Sequence, residues 1–120
     1  MAKKKILCVE DHPDICELVS AVLKDFEVIS ANSVEEALKN AEKGKFSLYL
    51  LDYHLPDGTG ADLTRSIRNF DSATPILFFT ATSSITEPKA LKIGAQGVVR
   101  KATDSFITDL MDTVTRLVNN

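Results

Sequence analysis

The sequence is short of cysteine, of basic clusters and of long apolar runs, and each shortage closes off a class of function. Two cysteines, Cys8 and Cys16, cannot build a disulfide framework. Each falls in an apolar pattern, so both read as small buried hydrophobes, and a reduced, cytoplasmic setting is expected. No apolar run approaches the ~18 residues that span a bilayer, and the apolar stretch in MAKKKILCVED is too short for a signal-peptide core. No membrane role is therefore expected. The one basic run, Lys3-Lys4-Lys5, reads as a solvated strand entrance. With Lys plus Arg at 14, Asp plus Glu at 17 and a net charge of −3, no basic patch points to nucleic acid. Repeats, low-complexity tracts and linkers are missing too, and 120 residues fit one domain, 1–120.

What is present is a regular alternation. The candidate strands are KILCVE (5–10), FEVIS (26–30), FSLYLL (46–51), PILFFT (75–80) and GVVR (97–100). Four are nearly continuous apolar runs, as expected of strands covered on both faces, while Glu27 and Ser30 alternate with apolar residues and suit an edge. Between them run helical stripes. Ile15, Leu18, Val19, Val22 and Leu23 keep the i, i+3, i+4 spacing, with Pro13 suited to the first turn. Ser33-x-x-Glu36 reads as a capping box and Gly44 as the end of that helix. Leu63, Ile67 and Phe70 mark a third helix. Phe106, Leu110, Met111, Val114, Leu117 and Val118 mark the last. The fourth begins near Ser84 or near Glu87. The later start is preferred, because Pro88 is tolerated only in a first turn.

Five strands alternating with five helices predict an α/β fold, a doubly wound, five-stranded parallel sheet. In such sheets ligands bind beyond the carboxyl ends of the strands, where the order reverses. With the flavodoxin-like order 2-1-3-4-5 that point lies between strands one and three. Strand one ends in Glu10-Asp11, strand three in Asp52, strand four in Thr80 and strand five in Lys101. Each alone has a bland explanation, as a helix cap, a turn residue, a β-former or a solvated lysine. Their common placement is what argues against the bland set. Three carboxylates brought together repel by about 4 kcal/mol per pair at ~4 Å and an effective dielectric near 20, so a counter-charge is required. Lys101 is one candidate and a hard divalent cation such as Mg²⁺, which keeps waters and shares its shell with phosphate oxygens, is the other. A carboxylate can attack phosphorus to give an acyl phosphate, with a metal, a hydroxyl and an ammonium holding the phosphoryl oxygens. Asp52, alone on the central strand, is the nucleophile candidate. Glu10 and Asp11, being adjacent, are better suited to hold a cation.

VEDHPD (9–14), LLDYHLPDGTG (50–60), FFTAT (78–82) and GAQGVVRKA (94–102) together resemble the receiver domain of two-component response regulators, over nearly the whole chain. The resemblance implies a flavodoxin-like (βα)5 fold. It implies that Asp52 accepts a phosphoryl group from a histidine kinase or phosphotransfer protein, as a signalling domain and not an enzyme with an external substrate. It implies that Asp11 ligates Mg²⁺ directly, Glu10 through water, Asp52 itself, and the backbone carbonyl of His54. Thr80 would swing toward the phosphoryl group, Lys101 would pair with it, and the surface of the fourth helix, fifth strand and fifth helix would shift toward an output partner. A monomer or a phosphorylation-dependent dimer is expected. His54 and Thr82 would flank the route of the attacking water, with His54 setting the lifetime of the acyl phosphate; the bland alternative is a solvated loop histidine.

Two positions depart from the family pattern. Ala102 replaces the usual proline after the lysine, which implies a different backbone course there. Val98 replaces the usual aromatic three residues before the lysine, so no aromatic rotation can accompany Thr80. These departures favour a second reading, a receiver-like interaction scaffold that no longer switches, which the intact acids, Thr80 and Lys101 oppose. A phosphatase with an Asp nucleophile would need a second Asp where His54 stands. Flavin binding would need a phosphate-cradling loop where EDHPD is acidic.

Overall fold

Strand residues alternate their side chains between the two faces of a sheet, and in this chain both faces are apolar, so the sheet must be covered twice. The computed structural model of the protein describes residues 2–101 and 103–119. Its sheet strands are β1 (Lys5–Val9), β2 (Glu27–Ala31), β3 (Leu48–Leu51), β6 (Ile76–Thr80) and β7 (Gly97–Arg100), all parallel and in the order β2-β1-β3-β6-β7. This is the expected 2-1-3-4-5 order, with the chain reversing direction across the sheet between β1 and β3. Two short strands, β4 (His54–Leu55) and β5 (Gly58–Thr59), form an antiparallel ladder of their own just after β3. That ladder was not anticipated, because two-residue pairings leave no periodicity to read.

The helices are α1 (Pro13–Val22), α2 (Val34–Lys43), α3 (Gly60–Arg68), α4 (Glu87–Lys92) and α5 (Phe106–Val118). Leu7, Val9, Tyr49, Leu51 and Phe78 face one way and bury against Ala37, Ala41, Leu63, Ile67 and Ala90 of α2, α3 and α4. Ile6, Cys8, Leu48, Leu50, Leu77 and Phe79 face the other way, against Val19 of α1 and Leu110 and Val114 of α5. The near-continuous apolar strands are thus explained by two half-cores sharing one sheet. Among the described residues no helix is long and apolar enough to cross a membrane.

Local signals set most boundaries. Ser33 caps α2 by accepting from Glu36 N at 3.1 Å, while Glu36 accepts from Asn32 N at 2.9 Å. Asp57, from the turn after β4, adds a second cap by accepting from Val34 N at 2.7 Å and Glu35 N at 3.0 Å. The later start of α4 is the observed one, with Pro88 in its first turn and Thr86 as its capping side chain. Three apolar expectations need correction. Phe70 lies past the end of α3 and is exposed, as is Met111, which points off the buried stripe of α5. Cys8 is buried, but Cys16 is only partly so. The expected change of backbone course at Ala102 lies outside the described residues.

Candidate functional site

The hydrogen-bond ladders run one residue past several strand ends, and this fixes the backbone of the predicted site. Glu10 N donates to Ala31 O at 2.9 Å, Asp52 N to Val9 O at 2.9 Å, and Lys101 N to Thr80 O at 3.0 Å. Three chemically active residues are therefore held in register at one edge by backbone alone. Immediately beyond, α3 starts against the end of β3. A Cβ on Gly60 would lie 2.5 Å from the carbonyl oxygen of Asp52, so only glycine permits this approach.

The side chains converge as the strand order predicts. Lys101, 16% exposed, places Nζ 2.6 Å from Glu10 Oε2 and 3.3 Å from Asp52 Oδ2. Its ammonium also lies 5.2 Å above the centre of the Phe79 ring. Asp52 Oδ1 accepts from Tyr53 N at 2.7 Å. Thr80 is buried beside them, its hydroxyl accepting from Thr82 N at 3.4 Å. His12, not singled out from the sequence, turns Nδ1 to within 2.9 Å of Glu10 Oε1 and 3.0 Å of Asp11 Oδ1. An open cavity of about 400 Å³ sits over this edge, lined by Asp11, His12, Ile15, Asp52, His54, Thr80, Ala81, Thr82 and Lys101. All the predicted site residues except Glu10 line it; Glu10 lies buried behind, joined to Asp52 through Lys101.

Burial pushes the carboxyl groups of both Glu10 and Asp52 upward. For Glu10 it prevails over the opposing pull of Lys101 and His12, and its pKa stands above the usual carboxylate value. For Asp52 the Thr80 hydroxyl, Lys101 and the Tyr53 N–H outweigh burial, and its pKa falls below that value. Of the two, Asp52 is the one whose anion the surroundings favour, the state a nucleophile needs. Glu10 and Asp11 raise the pKa of the exposed His12 imidazole.

Charge decides what the site can hold. Glu10 and Asp52 share a single ammonium and Asp11 lines the same open cavity, so acids outnumber ammonium groups there. The carboxylates of Asp11 and Asp52 line the cavity with Glu10 behind them, a hard oxygen set that fits Mg²⁺. Ligand-capable atoms of Glu10, Asp11 and His12 lie within 4.8 Å of one another. Asp52 stands apart from that trio, bridged to it by Lys101.

Two further residues escaped the sequence reading. His12 was legible in principle, as an imidazole directly after two acids. Arg100 shares a strand face with the half-buried Val98, and its guanidinium donates to the carbonyl oxygens of Thr82 and Ile85. It thus grips the loop that follows Thr80 from the strand where the aromatic was expected. Only the odd–even alternation of β7 hinted at it.

Comparison with known proteins bears on the whole arrangement. The family model described as response regulator receiver domain matches residues 6–114. The response regulator protein PilR of Pseudomonas aeruginosa is 37% identical, over 99% of this chain and 28% of its own length. The chemotaxis protein CheY4 of Vibrio cholerae superposes with a TM-score of 0.85 at 31% identity, covering 97% of this chain and 99% of that one. The response regulator TrrA of Thermotoga maritima, solved in complex with Mg²⁺-BeF, superposes with a TM-score of 0.84 at 30% identity, covering 95% of this chain and 98% of that one. The chain spans less than half the length of the curated relatives it matches.

Proposed function

This chain belongs to the response regulator receiver domain family, and on that premise we propose that it accepts a phosphoryl group on Asp52 in a Mg²⁺-dependent reaction. The donor is a phosphohistidine on a histidine kinase or phosphotransfer protein. An Asp52 carboxylate oxygen attacks phosphorus, the P–N bond breaks with its electron pair returning to the imidazole nitrogen, and an acyl phosphate forms. Lys101 is already aimed at the Asp52 carboxylate and needs little reorganisation to hold a phosphoryl oxygen. The Thr80 hydroxyl supplies a neutral donor on the same side. Asp11, Asp52, the His54 carbonyl and, through water, Glu10 would hold the cation, which supplies neutralisation of charge on the phosphoryl oxygens. His54 and Thr82, on the cavity wall, flank the approach of the hydrolytic water.

The observation that carries this reading is Lys101 crossing from the end of β7 to touch both Glu10 and Asp52. The TrrA complex with Mg²⁺-BeF supports the cation and the phosphoryl position. Movement of Thr80 toward the phosphoryl group would reset the loop before α4 and the α4–β7–α5 surface. Exposed Leu91, Ile107 and Met111 give that surface apolar contact area for an output partner, or for a second copy on phosphorylation. An output domain beyond this segment is proposed from the greater length of its relatives.

Intact mass after treatment with a small acyl-phosphate donor and Mg²⁺ tests the proposal. The wild type should gain one phosphoryl mass and Asp52→Asn none. No gain from any donor or genuine kinase would leave the non-switching scaffold as the better reading.

A further inference from the structure

We propose that His12 is a ligand in the cation site and tilts its preference from Mg²⁺ toward divalent ions that favour imidazole nitrogen; this rests on the cation site proposed above. A histidine at the start of a helix ordinarily caps it or packs. His12 does neither. It is the N-cap residue of α1 yet its side chain makes no capping bond, and that side chain is 71% exposed. What holds the ring in place is the acids: Nδ1 lies 2.9 Å from Glu10 Oε1 and 3.0 Å from Asp11 Oδ1, and the ring lines the cavity that Asp11 and Asp52 line.

A nitrogen atom at hydrogen-bond distance from two carboxylates is close to where a cation shared with those carboxylates would need it. Exchanging the hydrogen-bonded proton for a metal ion requires a shift of the ring, which its exposure allows, and no movement of the backbone. Oxygen donors alone suit Mg²⁺, whereas one imidazole added to them raises affinity along the series from Mn²⁺ to Ni²⁺ far more than for Mg²⁺.

The test is titration calorimetry with Mg²⁺, Mn²⁺ and Ni²⁺ at one fixed alkaline pH, on wild type, His12→Ala, His12→Gln and Asp11→Asn. The expected result is that both His12 variants lose about tenfold in Ni²⁺ affinity, with Mg²⁺ affinity held or raised. Asp11→Asn should weaken every ion. Nitrogen NMR of the Zn²⁺-loaded protein should show coordination at His12 Nδ1. An equal rise for all ions in the His12 variants would make the ring a mere competitor and overturn the inference. So would an unchanged Ni²⁺ to Mg²⁺ ratio. If the wild type binds Mg²⁺ and takes a phosphoryl group while the ratio stays put, this inference fails alone. If Mg²⁺ is not bound at all, the proposed function fails with it.

Discussion

The two ends of the sheet both gather charged side chains, and they treat them oppositely. At the amino end, Asp71 Oδ1 accepts from Ala73 N at 3.1 Å and Thr74 N at 3.0 Å, and Oδ2 accepts from Tyr49 Oη at 3.0 Å. Arg68 donates to Asp71 O at 2.9 Å and twice to Gly94 O, at 3.0 and 2.9 Å. Gln96 Oε1 accepts from Ile76 N at 2.7 Å. The chain supplies a partner there for each charge. At the carboxyl end three acids share one ammonium and an exposed imidazole. The carboxylate with donors in place is structural. The carboxylates of Glu10 and Asp52 divide one ammonium between them beside an open cavity.

Breaking the amino end should produce the largest loss of stability. Asp71→Ala strips three hydrogen bonds from a charged acceptor and leaves Tyr49 Oη and two backbone N–H groups to find water. The expected cost is about 3 kcal/mol, read by urea denaturation, with phosphoryl acceptance intact on the folded protein. If Asp71→Ala is as stable as wild type, the contrast between the two ends has no energetic content.

Sharpening the carboxyl end is the next largest effect and has the opposite sign. Saturating Mg²⁺ should stabilise the wild type, by about 2.7 kcal/mol at a hundredfold excess over its dissociation constant. The same gain should appear in Asp71→Ala and vanish in Asp11→Asn. A thermal melt with and without the ion reads this. Equal stabilisation of Asp11→Asn would place the ion elsewhere.

Much of this was legible in residues and some of it was not. Four of the five strands declared themselves because burial on both faces makes each an apolar run, and the polar residue ending each run then named the site. Asp52, Thr80 and Lys101 stood out for that reason. The partners that complete the geometry did not. Tyr49 and Asp71 are 22 residues apart, and nothing in either segment announces the other. Asp57 was not singled out, because the helix it caps lies 23 residues away. His12 went unremarked because an exposed histidine beside acids carries no periodic signature. Phe70 and Met111 were over-read because a stripe extrapolated past a helix end, or one position off its axis, still counts as apolar.

A third change sets the two ends directly against each other. Burial holds the pKa of Glu10 above the ordinary carboxylate value. A raised acid penalises the folded state as pH climbs through that shifted value and costs nothing well below it. Neutralising it by Glu10→Gln should therefore stabilise the protein near neutral pH, by about 1 kcal/mol once the weakened Lys101 contact is allowed for. The gain should fade as the pH is lowered. Denaturation midpoints for the two proteins across acid to neutral pH measure it, and a variant less stable than wild type at neutral pH would show that the Lys101 pairing outweighs the burden of burial.

The smallest effect is the most specific. Tyr49→Phe keeps the ring that packs in the core and removes one donor to Asp71, a loss of somewhat under ~1 kcal/mol. Burial works against the Asp71 anion, but the Thr74 N–H and hydroxyl, the Ala73 N–H and Tyr49 Oη outweigh it and bring its pKa from 3.8 to about 2. A lowered acid contributes stability that is fully present above its unfolded value and is lost as pH falls through the folded one. Removing Tyr49 Oη weakens that lowering. The gap between wild type and Tyr49→Phe should be widest near neutral pH and should narrow as pH falls from 3.8 toward about 2. The Glu10→Gln gap also narrows toward acid, but with Glu10→Gln the more stable protein of its pair. Opposite signs at neutral pH, closing together in acid, are what two ends built on opposite electrostatic terms require. A Tyr49→Phe gap that persists unchanged below that range would assign the loss to packing instead of to the carboxylate.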